Sequence, residues 1–299
     1  MAPSVAVIVL NWNGGEDTPR CLESVRTQDH EGVQAIVVDN GSTDGSADAV
    51  SADFPEVTLI RNEKNLGYCE GNNVALDRVL DGGADYVLLL NNDAVLDEGT
   101  VSELVRVMES DPRIGIAGPR IRMGGDESRI WSAGGDLFVR ENVGRLRGKN
   151  EPDGPAFDRL EDVDFVTGCV MMVRVDLLRE IGLFDPDYFA YIEDIDLCVR
   201  ARKAGRRVVY VPTAGASHRE SSSSGGGYTA LRKYWMGRNS VLYLKRHGSA
   251  RDWSGFFVFS ILALPVVLIR ESVRGNAGSV LAKASGILDG FLGRRRTVE

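Results

Sequence analysis

Short apolar runs punctuate the first two thirds of the chain, and each gives way to a polar turn and then to helically spaced residues. Residues 5–10 (VAVIVL), 35–38, 57–60 and 86–90 (YVLLL) are the first four runs. A run that does not alternate with polar residues reads as a strand buried on both faces, as in a parallel sheet covered by helices. Between the runs, residues 17–28 place Leu22 and Val25 on one helical face, and 71–80 and 98–108 read as further helices. More strands are expected at 114–117, at 208–211 and at 165–173 (FVTGCVMMV), where Gly168 permits a close approach. Strands alternating with helices at this spacing predict βαβ units and a mainly parallel sheet. Residues 118–164 loosen into Gly-, Asp- and Arg-rich sequence around Trp131, the kind of long irregular segment that is usually a functional loop.

The polar turns share a composition. The first run ends in Asn11-Trp12-Asn13-Gly14-Gly15, and the second in Asp39-Asn40-Gly41-Ser42-Thr43-Asp44-Gly45, where Asp44 or Ser46 is placed to cap the next helix. The third leads to Asn65-Leu66-Gly67, and the fourth stops at Asn91-Asn92-Asp93. Ligands of open α/β sheets sit beyond the carboxyl ends of the strands, so a carboxylate on a rigid strand tip is placed to hold a cation against a phosphate. An Asn/Asp turn is also common as plain structure; several on one sheet edge are more telling. Neither a G-x-G-x-x-G loop nor a G-x-x-x-x-G-K-[ST] loop occurs, which disfavours a simple NAD enzyme or P-loop NTPase.

A second concentration of chemistry is Glu193-Asp194-Ile195-Asp196, beside Tyr188, Phe189 and Tyr191, on a helix that carries Arg200, Arg202 and Lys203 and stops at Gly205. Acids in a first helical turn and bases in a last one complement the helix dipole. Three acids in four residues beside aromatic rings exceed that need and point to acid–base work. His218 follows the strand at 208–211 and precedes 221–227 (SSSSGGG), readable as a linker or as a lid over substrate. Residues 228–245 are again helical.

The overall net charge of −8 argues against a general nucleic-acid binder. After residue 240 there are nine Lys/Arg against four Asp/Glu, a net +5, which leaves −13 for the first 240 residues. A basic tail on an acidic body suggests an anionic partner for the tail. The four cysteines are widely spaced without a C-x-x-C pair, as in a reduced cytosolic protein. The first apolar run is too short for a signal-peptide core, so a cytoplasmic location is expected.

Taken together, VIVLNWN at 7–13, VVDNGSTDGS at 37–46, NLGYCEGNN at 65–73, LLLNND at 88–93, GLFDPDYFAYIEDIDLCVRARKAG at 182–205 and SHRE at 217–220 resemble the inverting glycosyltransferases of family 2. Within that family the chain looks most like bacterial rhamnosyltransferases of surface polysaccharide assembly. The resemblance implies an α/β GT-A fold, Rossmann-like, with a catalytic domain at 1–240 and a helical tail at 241–299. It implies a nucleoside-diphosphate sugar donor (dTDP- or UDP-linked) and a glycan or lipid-linked acceptor. Asn91-Asn92-Asp93 stands where the family has an Asp-x-Asp metal motif, which leaves Asp93 as the turn's only carboxylate. His218 takes the place of a second protein ligand, so Mn²⁺ or Mg²⁺ would be held by Asp93, His218 and two phosphate oxygens. Asp39 resembles the acid that contacts the base or ribose, and Asn11, Asn13, Asn65, Gly67, Asn72 and Asn92 would complete the nucleotide-sugar pocket. Asp194 resembles the general base, with Glu193 and Asp196 orienting it or the acceptor. Trp131, Tyr191 and Arg238 are candidates for acceptor or diphosphate contacts. Two other readings fit less well. A sugar nucleotidyltransferase needs a Gly-rich triphosphate loop, of which residues 11–15 are a poor version, and a non-catalytic binding protein needs no base.

Residues 253–269 (WSGFFVFSILALPVVLI) carry no charge and are flanked by basic residues including Arg251, Arg270 and Arg294–Arg296. Seventeen residues are short of the about 20 that span a bilayer, and Pro265 should kink them. The reading is a helix lying on the inner face of the cell membrane; burial against the catalytic domain or in an oligomer interface is the alternative.

Overall fold

In the computed structural model, which describes residues 2–139, 142–219 and 229–295, the uninterrupted runs are central strands whose alternate side chains enter two different cores. In β1 (Val5–Asn11), Ala6 and Ile8 join one core while Val5, Val7 and Val9 join the other. β4 (Tyr86–Asn91) divides in the same way, with Val87 and Leu89 opposite Tyr86, Leu88 and Leu90. Both faces are apolar because both are covered. α1 (Asp17–Arg26), α2 (Ser46–Asp53) and α4 (Thr100–Ser110) supply one layer. α3 (Gly67–Gly82), α5 (Val175–Ile181) and α6 (Glu193–Lys203) supply the other.

β1 pairs in parallel with β2 (Val33–Asp39) on one side and with β4 on the other, and β3 (Thr58–Arg61) extends the sheet beyond β2. The chain therefore runs outward from β1 in one direction and returns to its other flank at β4. The crevice between the carboxyl ends of β1 and β4 is the switch point at which such sheets bind ligands. Beyond β4 the sheet continues through β11 (Val170–Arg174), β6 (Ile114–Met123) and β12 (Arg207–His218). β11 is antiparallel to both of its neighbours, and it covers only the second half of the run at 165–173. The short β5 (Ala94–Leu96) pairs with the end of β12.

Residues 118–164 are more ordered than their composition suggests. β7 (Asp126–Ser132) folds back on β6, β8 (Gly135–Leu137) pairs with β9 (Gly144–Leu146), and β10 (Glu161–Asp162) edges β12. The 240/241 boundary expected from the sequence falls inside α7 (Ala230–His247). The tail continues as α8 (Ala250–Phe256), a π-helical stretch at Phe257–Leu262, α9 (Leu264–Val273) and α10 (Ala277–Leu292). α10 lies directly on α7: a Cβ on Gly286 would sit 2.0 Å from the Tyr234 carbonyl oxygen, and one on Gly237 2.4 Å from that of Lys283. Pro265 opens α9, and the apolar run bends by 45° there. Among the described residues no single helix is long and apolar enough to cross a membrane. All four cysteines are buried and none forms a disulfide. The Ser/Gly stretch read as a linker or lid lies outside the described residues.

Candidate active site

The ends of β1, β2 and β4 are tied by one buried amide. Asn11 pairs in register with Asp39, and its Nδ2 donates to Asp39 Oδ1 at 2.9 Å and to Ser46 Oγ at 2.9 Å. Its Oδ1 accepts from Thr18 Oγ1 at 2.7 Å and from Asn92 Nδ2 at 3.3 Å. Buried polar groups held this way fix the sheet edge in one arrangement. Asn13 latches the first turn to the second, accepting from the Thr43 N–H at 2.8 Å. Gly45, in the left-handed region, is the N-cap of α2 rather than Asp44 or Ser46; Asp44 instead accepts from the N–H groups of Gly15 and Ser46 and joins the two turns.

A cavity of about 430 Å³ opens above this edge. One end is polar, lined by Trp12, Asn40, Asn65, Gly67, Asn91, Asn92 and Asp93. Asn40 Nδ2 donates to Asn65 Oδ1 at 3.0 Å and its Oδ1 accepts from the Leu66 N–H, fixing the loop before α3. Gly67 has φ +83° and must lack a side chain, because a Cβ would meet the Phe189 ring at 2.4 Å.

Asp93 and His218 meet in this cavity from separate strand ends. His218 Nε2 lies 3.0 Å from Asp93 Oδ1, and β12 delivers the histidine beside Ala94 of β5. The Trp131 ring stands edge-on to the imidazole, with centroids 4.4 Å apart. His218 Nδ1 is buried without a hydrogen-bond partner. An imidazole and a carboxylate in contact form a donor set that fits a divalent cation, which would lie between Nε2 and the carboxylate. Among the described residues no cluster of three or more His, Cys, Asp or Glu converges, so the other positions would fall to oxygens of a bound diphosphate and water.

Glu193 and Asp194 open α6 on another wall of the same cavity. Burial and the neighbouring Asp194 push the Glu193 carboxyl well above its usual range, and its Oε2 is buried without a partner. Such an atom is tolerable on a neutral acid and costly on an anion. Asp194 is also raised by burial, but the N–H groups of Gly168 (3.1 Å) and Ile195 (2.8 Å) favour its ionised form. Two adjacent carboxyls in such different surroundings suit different states, Glu193 neutral and Asp194 ionised. Tyr68 Oη donates to the Gly168 carbonyl at 2.7 Å, steadying the peptide that holds Asp194 and realising the close approach expected at that glycine.

Asp196 does not join them. It is buried away from the cavity, with Arg200 Nε at 2.7 Å, His247 Nε2 at 2.7 Å and Tyr188 Oη at 3.3 Å. Burial would raise it, but hydrogen bonds and charge from His247 and Arg200 hold it below the usual carboxylate range. It is a structural ion-pair centre, a correction to its expected role beside the base.

Glu193→Gln should therefore keep the fold and lower transfer by less than about 10-fold, because a neutral group replaces a neutral group. A raised carboxyl contributes stability that is present below its unfolded pKa and is lost as pH rises through the folded one. The variant should gain melting temperature relative to wild type as pH rises above the ordinary glutamate range, about 4.3. A difference that does not change with pH would show that Glu193 is ionised throughout.

Of the residues singled out from sequence, Asn65, Gly67, Asn92, Asp93, Trp131, Tyr191, Glu193, Asp194 and His218 line the cavity. Asn11 and Asp39 are buried at its edge, Asn13 is on an outer loop, and Asn72 Nδ2 bonds back to the Tyr68 carbonyl within α3. Arg238 does not face the cavity. It donates to the carbonyls of Asp187 (2.6 Å) and Arg294 (2.9 Å), joining α7 to two other segments. Trp12 and Asn40 went unchosen although their own motifs held them. Trp235 and Met236 of α7 also line the cavity, and no sequence signal distinguishes them from core positions.

The sequence profile of glycosyl transferase family 2 matches residues 4–182. The chain belongs to this family. The transferase is 30% identical over 244 residues to an N-acetylglucosaminyl-diphospho-decaprenol L-rhamnosyltransferase of Mycobacterium tuberculosis, covering 75% of this chain and 79% of the relative. It is 28% identical to the rhamnosyltransferase WbbL of Escherichia coli, over 60% of this chain and 70% of that one. Two solved structures share its fold. The mannosyltransferase PcManGT of Pyrobaculum calidifontis, in complex with GDP-Man and Mn²⁺, superposes with a TM-score of 0.60 at 15% identity, over 99% of this chain and 89% of that one. GalNAc-T7 with UDP, GalNAc and Mn²⁺ gives a TM-score of 0.65 at 14% identity over 82% of this chain, which spans about half (48%) of that longer protein. The transferase thus has the GT-A architecture expected from its sequence, with a helical carboxyl-terminal region.

Proposed function

We propose that the transferase moves a sugar, rhamnose by likeness to its relatives, from a dTDP- or UDP-sugar to a hydroxyl of a glycan or lipid-linked acceptor, by single displacement with inversion. One observation carries the reading: a base-like carboxylate, Asp194, and a cation-binding pair, Asp93 and His218, line one cavity at the sheet's switch point. The polar end would hold the nucleoside diphosphate, with Asp39 and Asn11 supporting its base and ribose region. Asp93 and His218 would hold Mn²⁺ or Mg²⁺, which as a Lewis acid would neutralise the departing diphosphate. Asp194 would take the proton of the acceptor hydroxyl as its oxygen attacks the anomeric carbon. Glu193, kept neutral, would leave the pair with a single negative charge. Trp131 and Tyr191, with Lys149 and Arg232 over their rings, would line the acceptor end.

Labelled dTDP-rhamnose and UDP-sugars, incubated with polyprenyl-diphosphate-linked N-acetylglucosamine, test the activity. Thermal stabilisation by dTDP, UDP and GDP ranks the donors, since a ligand at 100 times its Kd adds about 2.7 kcal/mol. Labelled product from one of these donors is expected; binding without transfer would favour a non-catalytic protein.

We also place the enzyme on the inner face of the membrane. Among the described residues, eleven of the fourteen exposed large apolar side chains, including Phe257, Leu262, Val266, Ile269 and Leu288, lie between residues 257 and 292. Basic residues flank them, matching an anionic lipid surface. Vesicles containing phosphatidylglycerol should pull the protein down at low salt and less so at high salt. Leu262→Asp with Val266→Asp should abolish this without disturbing the α7–α10 packing, which a tail deletion would strip away. A wild-type protein that stays in the supernatant at low salt excludes membrane docking.

A further inference from the structure

The backbone that delivers Asp194 is contorted. Phe189 has φ +61° and ψ −62°, and the Ala190 N–H bonds to the Tyr188 carbonyl at 2.7 Å. That is a γ-turn of the rare strained form. Tyr191 (φ +70°) and Ile192 (φ +75°) then follow in the left-handed region, where a β-branched residue is an outlier. Three such residues among four, none a glycine, persist only where their surroundings over-determine them.

A single side chain of α7 ties three of the turn's carbonyls. Asn239 is fully buried, and its Nδ2 lies 2.8 Å from the Tyr188 carbonyl oxygen, 2.8 Å from that of Ala190 and 2.9 Å from that of Tyr191. Its Oδ1 accepts from Arg238 Nη1 at 2.9 Å, which fixes the amide's orientation. Phe189 is clamped separately: its ring stacks on Trp235 at 4.7 Å, and its carbonyl accepts from the Cys69 N–H. With its carbonyls drawn toward α7, the turn directs the first residues of α6 at the cavity.

We infer that Asn239 is a positioning residue for the base: its amide holds the strained 188–192 turn so that Asp194 is presented to the acceptor hydroxyl. This rests on the reading of Asp194 as the base. The nucleotide half of the cavity stands mainly on β1, β2 and β4; the loop before α3 meets the turn at Phe189, which Trp235 holds separately, so loss of the Asn239 amide should act on the chemical step more than on donor binding.

Asn239→Asp keeps the shape but replaces a donor by an acceptor facing three carbonyls, and Asn239→Ser removes the amide. Each is compared with Asp194→Asn for melting temperature, dTDP and UDP binding, and transfer from dTDP-rhamnose to the lipid-linked acceptor. The expected result is kcat lower by 10- to 100-fold, with nucleotide Kd within about threefold of wild type. Asn239→Asp added to Asp194→Asn should produce no further loss. A folded Asn239 variant with wild-type kcat overturns the inference while leaving the base assignment standing. Loss of fold or of nucleotide binding in both variants overturns it too, making Asn239 a general core residue. Wild-type kcat in Asp194→Asn alone defeats the base reading itself.

Discussion

Asp194→Asn is expected to fold, to bind the nucleoside diphosphate as wild type does, and to lose transfer by a factor on the order of 10²–10⁴, the usual contribution of a general base. The amide retains the shape of the carboxylate but has no lone pair basic enough to take the hydroxyl proton. The pH profile provides a second readout. Burial raises Asp194 above an ordinary aspartate, and only its ionised form is a base. The acid limb of kcat/KM should therefore fall at higher pH than the about 3.9 of a free aspartate. In Asp194→Asn that limb should vanish from whatever rate remains. Transfer near the wild-type rate would remove Asp194 from the mechanism.

Chelation should abolish transfer, and Mn²⁺ or Mg²⁺ should restore it. Asp93→Ala and His218→Ala should each lower the rescued rate by about 10² or more, since Lewis-acid stabilisation of a leaving group is worth several kcal/mol. Stabilisation of the fold by dTDP or UDP should itself need the ion, because Asp93 and His218 would supply only part of a coordination shell. Trp131 packs on His218, so Trp131→Ala should weaken metal rescue less than loss of the imidazole does. Full activity in chelator, with metal content measured as negligible, would contradict this assignment.

The sheet was legible because its central strands are buried on both faces and so carry unbroken apolar runs. The crevice was legible because polar residues collect at the ends of those runs. Direction was not: nothing in 165–173 distinguishes β11, antiparallel to its neighbours, from a parallel strand. Nor did composition separate the acid that faces the cavity from the one that does not. Residues 194 and 196 are two steps apart on a helix, about 200° around its axis, so Asp194 and Asp196 cannot point the same way. Arg238 is turned from the cavity by the Asp187 and Arg294 carbonyls, the second contributed by a segment that sequence alone did not bring near. Residues 118–164 hid their hairpins because their strands are short and partly exposed. Asn239 carried no signal, since its value lies in three carbonyls some fifty residues earlier in the chain. The bend after residue 262 was legible from Pro265 alone.

A single displacement in this cavity, with one carboxylate base and no covalent glycosyl intermediate, should invert the anomeric centre. The anomeric configuration of the product, read by NMR on wild-type transfer from the best-binding donor, tests it most directly. Inversion relative to the donor sugar is expected. Retention would contradict it, because a product of retained configuration does not arise from one direct attack by an acceptor hydroxyl activated at Asp194.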